Sequence, residues 1–71
     1  MKSNVVHSDP EIMGGAPVFI GTRVPVGVLF ENLAAGASLD EILENFPSLR
    51  REQAVEAIRE ATTIIEQSAI R

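Results

Sequence analysis

Three side chains able to ligate a metal or move a proton, His7, Asp9 and Glu11, fall close together near the start of the chain. An imidazole and two carboxylates at alternate positions suit a divalent cation. Pro10 interrupts them, however, and no second cluster completes a coordination sphere. The chain has one His and no Cys. Residues of these types more often cap turns. Nucleophilic catalysis would need a base beside a Ser or Thr, and His7 has no evident partner. Gly14, Gly15 and Gly21 match neither a dinucleotide fingerprint nor a P-loop, since no Lys follows them and there is no room for a βαβ unit. The remaining carboxylates sit on helix faces expected to be exposed. These residues predict no catalytic group, cofactor, metal or small-molecule substrate, and so a binding module rather than an enzyme.

Arg23 has a different character. It is an isolated cation in an apolar, turn-rich stretch. A guanidinium there can clamp a carboxylate or phosphate through two parallel hydrogen bonds. The blander reading, and the commoner one for a lone Arg in a small fold, is a structural tie to one of the chain's own acids or carbonyls.

The stretch around Arg23, from Gly14 to Val26, holds three glycines, two prolines and β-branched residues at Val18, Ile20, Val24 and Val26. Alternation predicts strands over about 17–20 and 22–25, joined by a tight turn at Ile20-Gly21 where glycine supplies a positive φ. Val5-Val6 is a further short strand candidate, and Ser8-Asp9-Pro10 reads as a turn. Pro25 ends the second strand and is suited to open a helix.

Three helices follow. The first is predicted over Val26–Ala35, with Val26, Leu29, Phe30, Leu33 and Ala34 on its apolar face and Gly36 as its stop. Ser38 and Glu41 form a capping box for the second. Leu39, Ile42, Leu43 and Phe46 make its core stripe, and Pro47 ends it. The third is predicted from Arg50 to Gln67, with Ala54, Ala57, Ile58, Ala61 and Ile65 facing inward. Val55, Thr62 and Ile64 widen its apolar arc, which implies contact with something beyond its own core. Glu52, Glu56 and Glu60 form a self-repelling ridge. Such a ridge is ordinarily solvated, and otherwise meets positive charge.

Together these elements predict a mainly α fold with a short N-terminal β-hairpin. The three helices make a helix-turn-helix domain. With 71 residues, the chain is read as a single domain over 1–71, a hairpin arm over 1–25 and a three-helix bundle over 26–67. A domain of this size buries roughly 60% of its unfolded surface and is marginally stable alone. Without disulfides, association is the remaining staple, so a homodimer or an obligate complex with another protein is expected. No apolar run approaches the roughly 18 residues of a membrane span, and no signal segment stands at residues 1–7. Cytoplasmic location is the expectation.

Net charge is −4, from ten acidic and six basic residues. The mean field does not attract nucleic acid and favours a basic protein partner. Any DNA contact needs a local patch. Ser48, Arg50, Arg51 and Gln53, at the start of the third helix, are where a recognition helix would carry base-reading side chains. Glu52 and Glu56 on the same helix weigh against that reading.

The strings Asp9-Pro10-Glu11-Ile12-Met13-Gly14-Gly15-Ala16-Pro17-Val18, Gly21-Thr22-Arg23-Val24-Pro25-Val26, Leu33-Ala34-Ala35-Gly36-Ala37-Ser38, Glu41-Ile42-Leu43 and Phe46-Pro47-Ser48-Leu49 resemble the DUF433 family in register over about residues 7–62. The resemblance implies a β-hairpin followed by a helix-turn-helix-like fold, homeodomain-like or winged-helix-like. It also implies a VapB-type antitoxin, encoded beside a PIN-like ribonuclease toxin that it binds and blocks, often in a complex that represses its own operon. No catalytic residues come with it. Arg50 stands where the family usually has Thr or Ser, so Ser48 is expected to cap the third helix. Little chain follows that helix, so inhibition is expected to use the helix itself. Arg59 or Arg71 would then pair with the acidic metal pocket typical of PIN domains. Arg23, Arg59, Ile64, Ile65 and Arg71 are the expected protein-binding residues. The alternative is a stand-alone helix-turn-helix regulator or an accessory interaction domain.

Overall fold

The computed structural model describes residues 2–69. Its elements are β1 (Val6–His7), a 3-10 turn (Met13–Gly15), β2 (Val18–Phe19), α1 (Val26–Ala34), α2 (Leu39–Asn45) and α3 (Arg51–Ser68). The fold is mainly helical, with a short two-stranded antiparallel sheet before three helices.

The pairing of the sheet differs from the sequence expectation. β2 pairs with β1, in the register Val6 to Phe19 and His7 to Val18. The segment after Gly21 makes only an isolated bridge, Val18 to Pro25. Its donors explain why. The Val24 N–H is taken by the Thr22 hydroxyl at 3.0 Å, and Pro25 has none to give. The segment still closes a turn, with Thr22 N–H donating to the Phe19 carbonyl at 3.0 Å and Phe19 N–H to the Val24 carbonyl at 3.0 Å. Bridged on both sides, β2 is wholly buried.

The helix boundaries follow local chemistry. Pro25 is the N-cap of α1, in extended geometry. At the other end Gly36 takes φ +97°. Ala37 N–H donates to Asn32 O and Gly36 N–H to Leu33 O, both at 3.0 Å, a Schellman closure that only a left-handed residue permits. Ser38 Oγ accepts from Glu41 N–H at 3.2 Å while Glu41 Oε1 accepts from Ser38 N–H at 3.0 Å, so the expected capping box is present. α2 stops at Phe46, just before Pro47. At α3 the expectation fails. Ser48 does not cap the helix; Arg50 is the N-cap residue, and Gln53 Oε1 accepts its N–H at 3.1 Å. Ser48 lies two residues too early, ahead of the buried Leu49.

Phe19, Val24, Leu29, Ile42, Leu49, Ala54 and Ala57 form the core, bringing together β2, the turn and all three helices. Val26, Phe30, Leu33, Leu39, Leu43, Phe46 and Ile58 pack against it as their spacing predicted. Three expected inward residues, Ala34, Ala61 and Ile65, do not. Ala34, in the last turn of α1, is exposed. Ile65 is 69% exposed. α3 is 18 residues, about 27 Å, long. Residues 62–69 are all exposed, because α3 outruns the elements that could cover it. Among the described residues, no helix is long and apolar enough to cross a membrane.

Candidate functional site

The Gly21-Thr22-Arg23 turn divides its labour. Gly21 takes φ +79° and a Cβ there would meet nothing within 4 Å, so backbone conformation alone calls for glycine. Thr22 is buried; its hydroxyl donates to the Phe19 carbonyl at 2.8 Å while accepting from Val24 N–H. That locks the turn and leaves Arg23 exposed beside it. No hydrogen bond or ion pair of Arg23 occurs among the described residues, so the commoner expectation of a structural tie is not met.

Two adjoining grooves flank this turn. The first runs between the sheet and α3. Val5, Ile20 and Val55 supply apolar lining, and Arg50, Arg51, Glu52, Glu56 and Arg59 supply charge. The second is lined by His7, Ile12, Gly21, Thr22, Arg23 and Ser48. Gly21 and Ser48 line both. Four of the chain's six cationic residues, remote in sequence, therefore share one face of a net-acidic molecule. Tertiary folding brings together Ser48, Arg50, Arg51, Gln53 and Arg59, with Arg23 next door. Ile64 and Ile65 do not join them and lie exposed toward the end of α3. Arg71 lies outside the described residues.

Not all of these side chains are free to bind. Gln53 is committed at both ends: Oε1 accepts from Arg50 N–H, and Nε2 donates to the Ile20 carbonyl at 2.8 Å. It joins the start of α3 to the hairpin and is not an available base reader. Arg51 pairs with Asp40 of α2, an exposed pair of small energetic weight. Arg50 and Arg59 make no side-chain hydrogen bond or ion pair among the described residues.

The acidic ridge is divided in the same way. Glu52 and Glu56 line the first groove. Glu60 holds the N-terminal segment: Ser3 Oγ donates to Oε1 at 2.6 Å and Asn4 N–H to Oε2 at 3.0 Å. The Ser3 hydroxyl and then the Asn4 amide keep the Glu60 carboxyl below its ordinary range. Neither expectation for the ridge, water or positive charge, anticipated this contact. Ser3 and Glu60 lie far apart in sequence, and no local pattern announces their meeting. Near the other candidate cluster, Asp9 Oδ1 accepts from Glu11 N–H at 2.9 Å, the turn-capping use of Asp.

Comparison with known proteins adds the family. The sequence profile of the family described as "Protein of unknown function (DUF433)" matches residues 6–61. The chain belongs to the DUF433 family. An uncharacterized protein, y4eO of Sinorhizobium fredii, is 43% identical over 67 residues. Those residues are 94% of this chain and 28% of that protein. The crystal structure of a DUF433 member from Anabaena variabilis aligns with TM-score 0.71 at 31% identity, over 90% of this chain and 63% of that one. The DUF433 fold seen there is thus the fold of this chain, which spans well under a third of the curated relative and less than two thirds of the solved one.

Proposed function

We propose that this DUF433 chain is a binding module that acts as the antitoxin of a toxin–antitoxin pair in the cytoplasm, masking a PIN-like ribonuclease. One observation carries the reading furthest. Arg50, Arg51 and Arg59 of α3 and its N-cap line one groove together with Glu52 and Glu56, around apolar walls from Val5, Ile20 and Val55. An apolar centre with a charged rim is the anatomy of a protein–protein interface. Glu52 and Glu56 beside Arg50 and Arg59 suit a protein surface of mixed charge better than a uniformly negative phosphate backbone. Arg50 and Arg59, free of internal partners, are the groups to engage carboxylates of the toxin. The exposed Ile64 and Ile65 supply a second contact, to the toxin or to another copy in a homodimer.

The test is co-expression with a PIN-like ribonuclease encoded beside the gene, followed by co-purification and an RNA-cleavage assay. A stable complex with suppressed cleavage is expected. Arg50→Glu together with Arg59→Glu should weaken inhibition at least tenfold, as lost charge-assisted pairs do at about 1.4 kcal/mol per decade. Failure to co-purify, or full inhibition by the double variant, overturns the reading.

A second reading has one observation in its favour. α2 and α3, joined through residues 46–50, have the connectivity of a helix-turn-helix, and Arg50 stands exposed at the start of α3. Operator binding by the complex would use Arg50, Arg51 and Ser48. A promoter mobility shift lost in Arg50→Ala/Arg51→Ala would support it, and an unshifted promoter would exclude it.

A further inference from the structure

The second groove differs from the first in chemistry. His7 comes from β1, Arg23 from the turn after β2, and Ser48 from the connection between α2 and α3. All three side chains are exposed, and none makes a hydrogen bond or ion pair among the described residues. No acidic residue lines this groove, whereas two line its neighbour. Three donors from three separate elements thus meet on one acid-free surface of a molecule with ten acids. The backbone that brings Arg23 here is fixed by the positive φ of Gly21 and by the buried Thr22 hydroxyl. The backbone from which the guanidinium reaches the groove is therefore set by the fold.

We infer that the His7–Arg23–Ser48 groove is a binding site for a terminal phosphate group, free or carried as a monoester. The number of donors selects the ligand. A carboxylate has two oxygens, and one guanidinium fork satisfies both. A terminal phosphate has three oxygens, which suit a guanidinium, an imidazole N–H and a hydroxyl approaching from different sides. Arg23 supplies the paired hydrogen bonds, Ser48 the hydroxyl donor and His7 the imidazole donor. Ile12 and Gly21 leave an uncharged wall against which the rest of the ligand rests. The site shares Ser48 and Gly21 with the first groove, whereas His7 and Arg23 line only the second, so Arg23 variants separate this site from toxin binding.

The experiment is an NMR titration of the isotopically labelled full chain with inorganic phosphate, adenosine 5′-monophosphate and acetate, at constant ionic strength. Saturable shifts are expected at the amides of Thr22, Arg23 and Ser48, with a dissociation constant on the order of millimolar for both phosphates. Acetate should bind about tenfold more weakly, for want of the third oxygen. Tighter binding of the nucleotide than of inorganic phosphate would identify a nucleotide or RNA end as the source; equal binding would identify the free anion. Arg23→Ala should abolish the shifts, and Arg23→Lys should weaken them by losing the fork. Arg59→Ala, in the other groove, should leave them unchanged. Shifts that fail to saturate, an acetate response equal to that of phosphate, or an Arg23→Ala variant that titrates like the parent would each overturn the assignment. Arg23 is exposed, so its replacement leaves the core intact, and the unshifted amides report that directly.

Discussion

Glu60, within α3, clasps Ser3 near the opposite end of the chain: the Ser3 hydroxyl donates to Oε1 at 2.6 Å. The same hydroxyl oxygen accepts from Val5 N–H at 3.1 Å and Val6 N–H at 3.0 Å. One serine thus connects α3 to the start of β1. Because β1 is only two residues long, its ladder cannot hold the arm in place unaided. The arm matters to the site, since Val5 lines the first groove.

Replacing Glu60 with Ala should therefore free the arm and leave the helices folded. Hydrogen exchange at the Val6 and Ile20 amides should speed up, while that of Leu29 and Ala57 is unchanged. Ser3→Ala should do the same. If neither variant alters exchange at Val6, the clasp does not secure the strand.

Acid should have the same effect. The Glu60 carboxyl is held below its ordinary value of 4.5 by the Ser3 hydroxyl and the Asn4 amide. A carboxyl whose pKa is depressed on folding contributes stability above its unfolded pKa and loses it as pH falls through the folded one. The Asn4 amide resonance should then move with a midpoint below 4.5. Glu60→Gln should remove that step, and a parent midpoint above the ordinary value would contradict the hydrogen-bonding account.

Gly21→Ala isolates backbone strain from crowding. The added methyl meets nothing within 4 Å, yet φ is +79°. The expected loss is about 1–2 kcal/mol, the cost of left-handed geometry for an L-residue. Denaturant melts give the value directly; a neutral substitution would mean that the turn relaxes to another conformation.

Ser38→Ala removes the hydroxyl that accepts Glu41 N–H. The loss of an N-cap costs about 1 kcal/mol, which in a domain of this size lowers the melting temperature by roughly 4–8 °C. Ser48→Ala should leave stability within about 0.5 kcal/mol of the parent, since Ser48 caps nothing and is exposed. Equal losses in the two variants would reverse the assignment of the caps.

Leu29 and Ile42 are essentially fully buried. Leu29→Ala should cost about 2–5 kcal/mol, as much as a small domain has to lose, and leave a largely unfolded chain by circular dichroism. Ile42→Val, at about 0.5–1.5 kcal/mol, should stay folded with a lower melting temperature. A fully folded Leu29→Ala variant would place the core elsewhere.

The sequence by itself determined whatever depends on near neighbours. Apolar spacing and end chemistry at Pro25, Gly36, Ser38 and Pro47 fixed three helices, because caps and stops are hydrogen bonds and steric limits spanning a few residues. Gly21 marked the turn for the same reason. The tertiary structure decided which segments meet. β1 displaced the expected partner of β2, since the Thr22 hydroxyl takes the Val24 N–H and Pro25 has none to offer. It also turned Gln53 inward to Ile20, joined Ser3 to Glu60, left Ile65 in solvent, and collected Arg23, Arg50, Arg51 and Arg59 on one face. None of these has a local signature, because each depends on distances between parts of the chain that come close only once the core has formed.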